Sequence, residues 1–252
     1  MNESLEALLA GARVWRARSK DDHRVGVPPR LARVGAATAD STRLDAGRSE
    51  SESAVVPTGW PALDAALPDG GWPLGTLVEL LLPAHGVGEL QLLLPALRAL
   101  CGSPGAGSTT HAPAGRGSNG PPGPWLVWIA PPHAPYPPAL AQAGLEPSRV
   151  LLVDAGGTQD RLWAVEQALH SRSCGAVLAW LDDADDRWLR RLKLAAEPGR
   201  TLAVLFRPVA RRAQASPAAL RLVLEPHGDR LDVEMVKSRG GPRRVTNALG
   251  LR

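Results

Sequence analysis

From Leu77 to Leu82 the chain is apolar at every position except Glu79. A turn, Pro83-Ala84-His85-Gly86-Val87-Gly88, follows, and from about Glu89 a second apolar stretch runs to Leu100. The short unbroken run predicts a strand covered on both faces, as in a parallel sheet, and the longer one predicts a buried helix. A strand that feeds a helix through a glycine turn confines the chain to the α/β class. It also puts the helix N-terminus at the edge of the sheet where phosphates are bound in nucleotide-binding folds.

That turn lacks what phosphate chemistry needs. A working nucleotide loop requires glycines for close backbone approach, a lysine for the β and γ phosphates and a hydroxyl for magnesium. Gly86 and Gly88 are in place, but Glu89 and Leu90 stand where lysine and Ser/Thr belong. Beside a triphosphate, Glu89 turns attraction into a repulsion of on the order of a kcal/mol or more. The expectation is a degenerate loop at Gly86, Gly88 and Glu89, no ATP hydrolysis and no cofactor. The plainer reading is an ordinary strand-to-helix turn with two glycines.

At 252 residues and 44% hydrophobic content the chain can bury a full core. No run of about 18 apolar residues occurs, so no membrane span is predicted. The opening MNESLEALLAGARVW lacks the cationic start of a secretory signal. Cys101 and Cys174 have no cysteine or histidine at zinc spacing and read as buried thiols in a reducing cytoplasm. Basic charge is concentrated at the end: residues 207–252 hold ten Lys/Arg against four Asp/Glu, whereas residues 57–206 hold ten against thirteen. Such an excess points to nucleic acid, to an acidic protein surface or to solubility alone.

Four further regions frame the domain expected over 56–236. Residues 1–20 suggest an amphipathic helix capped by Ser4, with Leu5, Leu8, Leu9, Ala12 and Trp15 on one side. Residues 21–55 are polar and aperiodic and read as a flexible linker. Residues 102–124, GSPGAGSTTHAPAGRGSNGPPGP, read as a disordered insertion, and 237–252 as a mobile basic tail. Within the domain, strands are expected at Trp125–Ala130, Val150–Val153, Gly175–Leu181, Thr201–Phe206, Ala219–Leu224 and Leu231–Val236. Helices are expected at Pro138–Gly144, Thr158–Ser171 and Arg187–Ala196. Most of the eight tryptophans should be core, with indole N–H groups bonded to carbonyls at sheet edges. Trp60 and Trp72 flank glycine turns and read either as core or as half-exposed anchors.

The order and spacing of Thr58-Gly59, Leu63-Asp64, Ala66-Leu67, Gly70-Gly71, Pro73, Gly75 and Glu79 resemble the approach to the nucleotide loop in the RecA superfamily. GGWP at Gly70–Pro73, GVGELQLLLPAL after the strand and VWRA at Val14–Ala17 resemble the ImuA family, RecA-like accessory proteins of damage-induced mutagenesis. The resemblance covers about Val56 to Pro242 and implies a mainly parallel twisted sheet with helices on both faces. Two more parts of the RecA machinery are then missing. Pro132 precedes His133-Ala134 where the base belongs, and Trp180-Leu181 end the strand where the magnesium aspartate belongs, with Asp182-Asp183 just beyond.

The resemblance implies a non-catalytic adaptor in SOS-induced translesion synthesis, cytoplasmic and nucleoid-associated during damage. Its implied partners are an ImuB-like inactive polymerase and an error-prone C-family polymerase, with RecA filaments as a further one and no membrane. Arg207, Arg211, Arg212, Lys237, Arg239, Arg243 and Arg244 are the candidate residues for docking on an acidic partner or for weak DNA contact, although no aromatic residue is interleaved for base stacking. Two alternatives stay open: an ATP-dependent RecA-like DNA-binding protein, and, through the distant likeness of ImuA to SulA, an SOS inhibitor of cell division acting on the division ring.

Overall fold

The structure is a computed structural model and describes residues 13–16, 54–101 and 124–250. In chain order the elements are β1 (Arg13–Arg16), β2 (Val55–Val56), α1 (Pro61–Ala66), β3 (Trp72–Pro73), β4 (Thr76–Leu82), α2 (Glu89–Cys101), β5 (Trp125–Ile129), α3 (Pro137–Gln142) and β6 (Val150–Asp154). They continue with α4 (Thr158–His170), β7 (Cys174–Trp180), α5 (Asp186–Ala196), β8 (Leu202–Pro208), β9 (Leu220–His227), β10 (Arg230–Lys237) and β11 (Arg243–Gly250).

Nine strands form one sheet in the order β1-β6-β5-β7-β8-β4-β9-β10-β11, and β2 pairs with β3 apart from it. The six strands from β6 to β9 run parallel, while β1, β10 and β11 each pair antiparallel with a neighbour. The chain is therefore α/β with a mixed, mainly parallel sheet. All seven residues of β7 are buried, as a strand covered on both faces requires. One apolar layer joins Leu63 of α1, Leu92, Leu93, Ala96 and Leu97 of α2 and Leu140 of α3 to the sheet. The other joins Leu162, Val165 and Ala168 of α4 and Leu189 and Leu192 of α5 to the opposite face. The elements expected within 56–236 lie within two or three residues of those observed, β9 and β10 being somewhat longer because they pair through to the turn at Gly228, whose φ is +60°.

Two expectations are corrected. Arg13–Arg16, inside the stretch expected to be helical, is a strand pairing Val14 with Val153 and Trp15 with Leu152. A β-branched and an aromatic residue between arginines suit an edge strand, and the pairing satisfies backbone groups that β6 would otherwise leave open. The rest of 1–20, the linker up to residue 53 and the insertion at 102–123 lie outside the described residues. At the other end, Arg243–Gly250, expected as a mobile tail, is β11 and hydrogen-bonds to β10 with a register shift between Leu231 and Val233. Of the two readings left open for Trp72 the core one is observed, the residue being fully buried. Trp60 is half-buried, its indole N–H donating to the Leu92 carbonyl of α2 at 3.0 Å. The chain can pass this close to α2 because of Gly59, whose φ is +80° and where an added Cβ would meet the Pro95 Cβ at 2.3 Å.

Candidate functional site

The turns that follow β4, β5, β6, β7 and β8 all emerge at the carboxyl edge of the parallel strands, where open α/β sheets place their ligands. Between β4 and α2, Gly86 and Gly88 have φ of +81° and +104°. Glu89, the first residue of α2, folds its side chain back so that Oε1 accepts the Gly86 N–H at 2.8 Å. The residue is only 4% exposed, and its second oxygen, Oε2, has no hydrogen-bond partner. A carboxylate at a helix N-terminus is favoured by the orphan N–H groups and the macrodipole. The chain's own anion thus stands where an anionic ligand would be received.

Beneath this turn the strand ends are filled with rings. Trp180 at the end of β7 stacks on Phe206 of β8 with centroids 4.4 Å apart, and Trp128 of β5 lies 6.1 Å from Trp180 at a tilt of 55°. All three belong to the layer that packs under α2. The indole N–H groups of Trp72, Trp128 and Trp180 lack partners, contrary to the expectation that each would reach a carbonyl, because these rings sit inside the layer rather than at its margin. Asp182 and Asp183 project outward beyond β7, Asp183 toward Arg211 at 3.1 Å, and Asp185 caps α5 by accepting the Trp188 N–H at 2.8 Å. Among the described residues no group of three or more His, Cys, Asp or Glu is placed to hold a metal.

On the opposite face of the sheet lies a cluster that sequence reasoning missed. The Glu79 carboxylate is fully buried in β4. Oε1 accepts from Arg207 Nη1 at 3.3 Å and Ser216 Oγ at 2.5 Å, and Oε2 accepts from Arg221 Nε at 2.8 Å. The guanidinium groups then reach outward. Arg207 donates to the Ala184 carbonyl and the Gln214 amide oxygen, and Arg221 to the carbonyls of Arg211 and Arg212. Two buried cations and one buried anion therefore pin the segments after β7 and β8. Burial pulls the Arg207 guanidinium below its ordinary pKa, and Glu79 opposes that shift. The signal was present: one acid in an apolar strand, and arginines at Arg207 and Arg221 ending or interrupting two others.

The seven basic candidates are not one patch. Arg207 is buried in that cluster rather than on the surface. Arg211 pairs with Asp183, Arg212 with Glu234 at 2.5 Å, Arg239 with Asp69 at 2.5 Å, and Arg244 with Glu225 and Asp232. Lys237 donates to the Ser216 carbonyl and Arg243 to that of Ala66. Most of the C-terminal basic excess is met by acids within the molecule.

Both thiols are buried, and burial raises each from near 9 to about 11. Native protein should therefore react with a disulfide reagent at pH 8 far more slowly than unfolded protein. The unfolded thiols ionise from about pH 9 while the native ones hold their protons to about 11, so stability should fall as pH rises through that window. Equal labelling rates in native buffer and in denaturant would contradict this.

No family model matches the chain. Among curated proteins it is similar to "Cell division inhibitor SulA" from Serratia proteamaculans, 29% identical over 134 residues, which are 53% of this chain and 68% of that protein. The same name is carried by relatives from Cronobacter sakazakii, 35% identical over 34% of this chain, and Edwardsiella piscicida, 31% identical over 33% of it. The chain spans about half the length of these two. The crystal structure of SulA from Pseudomonas aeruginosa aligns at 26% identity and a TM-score of 0.37, over 52% of this chain and 97% of that one. The relatives are named as inhibitors of cell division.

This overturns the ImuA reading and, with it, translesion synthesis as the process and the ImuB-like protein, the C-family polymerase and RecA as partners. Two of the three motifs that suggested ImuA, those at Gly70–Pro73 and after the strand, lie around β4 and α2, where a buried strand, a glycine turn and a leucine-rich helix are constrained by packing and discriminate poorly between related families. Among the described residues no helix is long and apolar enough to cross a membrane.

Proposed function

We propose that this chain is a SulA-like inhibitor of bacterial cell division, made in the SOS response, that acts in the cytoplasm on the division ring by protein contact. The observation that carries the reading is its similarity to proteins named cell division inhibitors, at 29% identity over 68% of the length of one of them. The geometry agrees with binding rather than turnover. Glu89 supplies the anion at the α2 N-terminus, and Trp128, Trp180 and Phe206 fill the layer below, so the turn at Gly86, Gly88 and Glu89 offers no lysine, hydroxyl or room for a nucleotide. The finer reading of the domain over 56–236 as RecA-like and nucleotide-free is supported by the same strand, turn and helix at the centre of a parallel sheet. Arg211, Arg212, Lys237, Arg239, Arg243 and Arg244 would serve a partner only by exchanging their internal bonds for contacts with it, and each such exchange contributes little at an exposed site.

Induced expression in a rod-shaped bacterium should give long, unseptated cells within a few generations while mass growth continues. Cells of ordinary length at a verified level of folded protein would reject the proposal.

A further inference from the structure

The flank of α4 that faces away from α5 is covered, and the described elements do not supply the cover. Glu166 marks the flank toward α5, where it meets Arg191 at 2.6 Å. Residues two apart on a helix point about 200° from each other, so Ala164 lies on the opposite flank. Trp163, on the outer side between the two flanks, is 37% exposed, yet Ala164 is 0% exposed. Among the described residues α4 and α5 are the only helices of this layer. The sheet beside the covered flank continues to β6 and ends at β1, while α4 itself rests on β5 and β7, further in. Leu151 and Val153 of β6 point into the same layer and are buried, whereas Leu152, on the other face of that strand, is half-buried. The strand β1 lies in the plane of the sheet. A flank at the height of a helix needs a neighbour at that height.

The chain offers one segment for the place. Residues 1–12 lead into β1 at Arg13, which pairs with Asp154 at the carboxyl end of β6, just before α4 begins at Thr158. Leu5, Leu8, Leu9 and Ala12 fall on one side at helical spacing, Ser4 suits a cap, and Gly11 stands where a helix gives way to a strand. Two turns, about 11 Å long, match the flank formed by Ala164 and Ala168, whose small side chains admit a close neighbour. Residues 21–53 are polar and aperiodic and 102–123 low in complexity, and neither carries such a stripe. We propose that residues 4–11 fold back as a short helix beside α4, with Leu5, Leu8 and Leu9 packed over Leu151, Val153 and Ala164. A tight turn at Gly11-Ala12 sends that helix against the direction of β1, and therefore antiparallel to α4. Helix and β1 together form an N-terminal strap that closes the β6 side of the sheet. Its release uncovers an open strand edge and an apolar shelf at once.

A cysteine pair tests the placement directly. In Leu8→Cys/Ala164→Cys, mild oxidation should form a disulfide within one chain, read as a linked peptide after digestion and as a single chain on a denaturing gel. Cys101 and Cys174 are buried and do not compete. Leu8→Cys/Leu194→Cys, with its second thiol on the exposed side of α5, should stay open. Independently, Leu5→Glu/Leu9→Glu should speed hydrogen exchange in 13–16 and 150–154 by about tenfold or more, because the strap then opens locally. Glu6→Lys, on the solvent side of the proposed helix, should not. No disulfide with Ala164→Cys, one formed only between chains, one formed equally with Leu194→Cys, or exchange unaltered by Leu5→Glu/Leu9→Glu would each overturn the proposal. These readouts concern the fold and do not depend on whether the chain inhibits division.

Discussion

Glu79→Ala is expected to destabilise the protein by about 3–5 kcal/mol, enough to remove most of the stability of an ordinary domain. The size follows from what is left behind. Arg207 and Arg221 remain buried with no counter-charge, and the Ser216 hydroxyl loses its acceptor. The cost lies in the orphaned cations, not in the worth of the cluster, because desolvating three charges consumes most of what their attraction returns. A triple variant, Glu79→Leu/Arg207→Met/Arg221→Met, should therefore be far closer to the parent than the single one. It should also free the segment from Val209 to Ser216, where Arg221 holds the carbonyls of Arg211 and Arg212 and Arg207 holds the Gln214 side chain. Denaturant titration gives the first result and hydrogen exchange across 209–216 the second. A single substitution costing under about 1 kcal/mol would mean the charges are better hydrated than their burial implies.

The second large effect is expected at Trp180. Trp180→Ala removes the ring that stacks on Phe206 and borders Trp128, and should cost about 3–5 kcal/mol as transfer and cavity terms add. Trp180→Phe should cost much less. It keeps a ring in the layer and removes an indole N–H that has no acceptor, so lost area is partly offset by a desolvation penalty no longer incurred. If the two substitutions were equally damaging, the indole N–H would have to be bonded, to a trapped water for instance.

How far the sequence revealed this molecule depends on the kind of interaction involved. Apolar periodicity located β4 to β10 and α2 to α5, because two-sided burial leaves unbroken runs in strands and 3.6-residue repeats in helices. It failed at both sheet edges. Arg13–Arg16 and Arg243–Gly250 are edge segments held by backbone pairing, and their polar, arginine-rich sequences carry little record of it. That Glu89 stands at the start of α2 was legible, but the folding of its side chain back onto the Gly86 N–H depends on a backbone turn that no spacing encodes. Arg207 was misplaced for a simpler reason: charge counting assigns arginines to the surface, and only its alignment with Leu81 beside Glu79 shows it pointing inward. The family resemblance failed because much of what it rested on lies in the buried β4 and α2, whose apolar sequence is set by packing.

The most direct test of the account is the spacing of division rings in cells making this protein, followed with a fluorescently tagged ring component. The account predicts elongating cells with evenly segregated nucleoids and few or no rings between them, and normal rings in cells making Glu79→Ala at the same level of synthesis. Rings at their usual frequency in cells full of folded wild-type protein would contradict it.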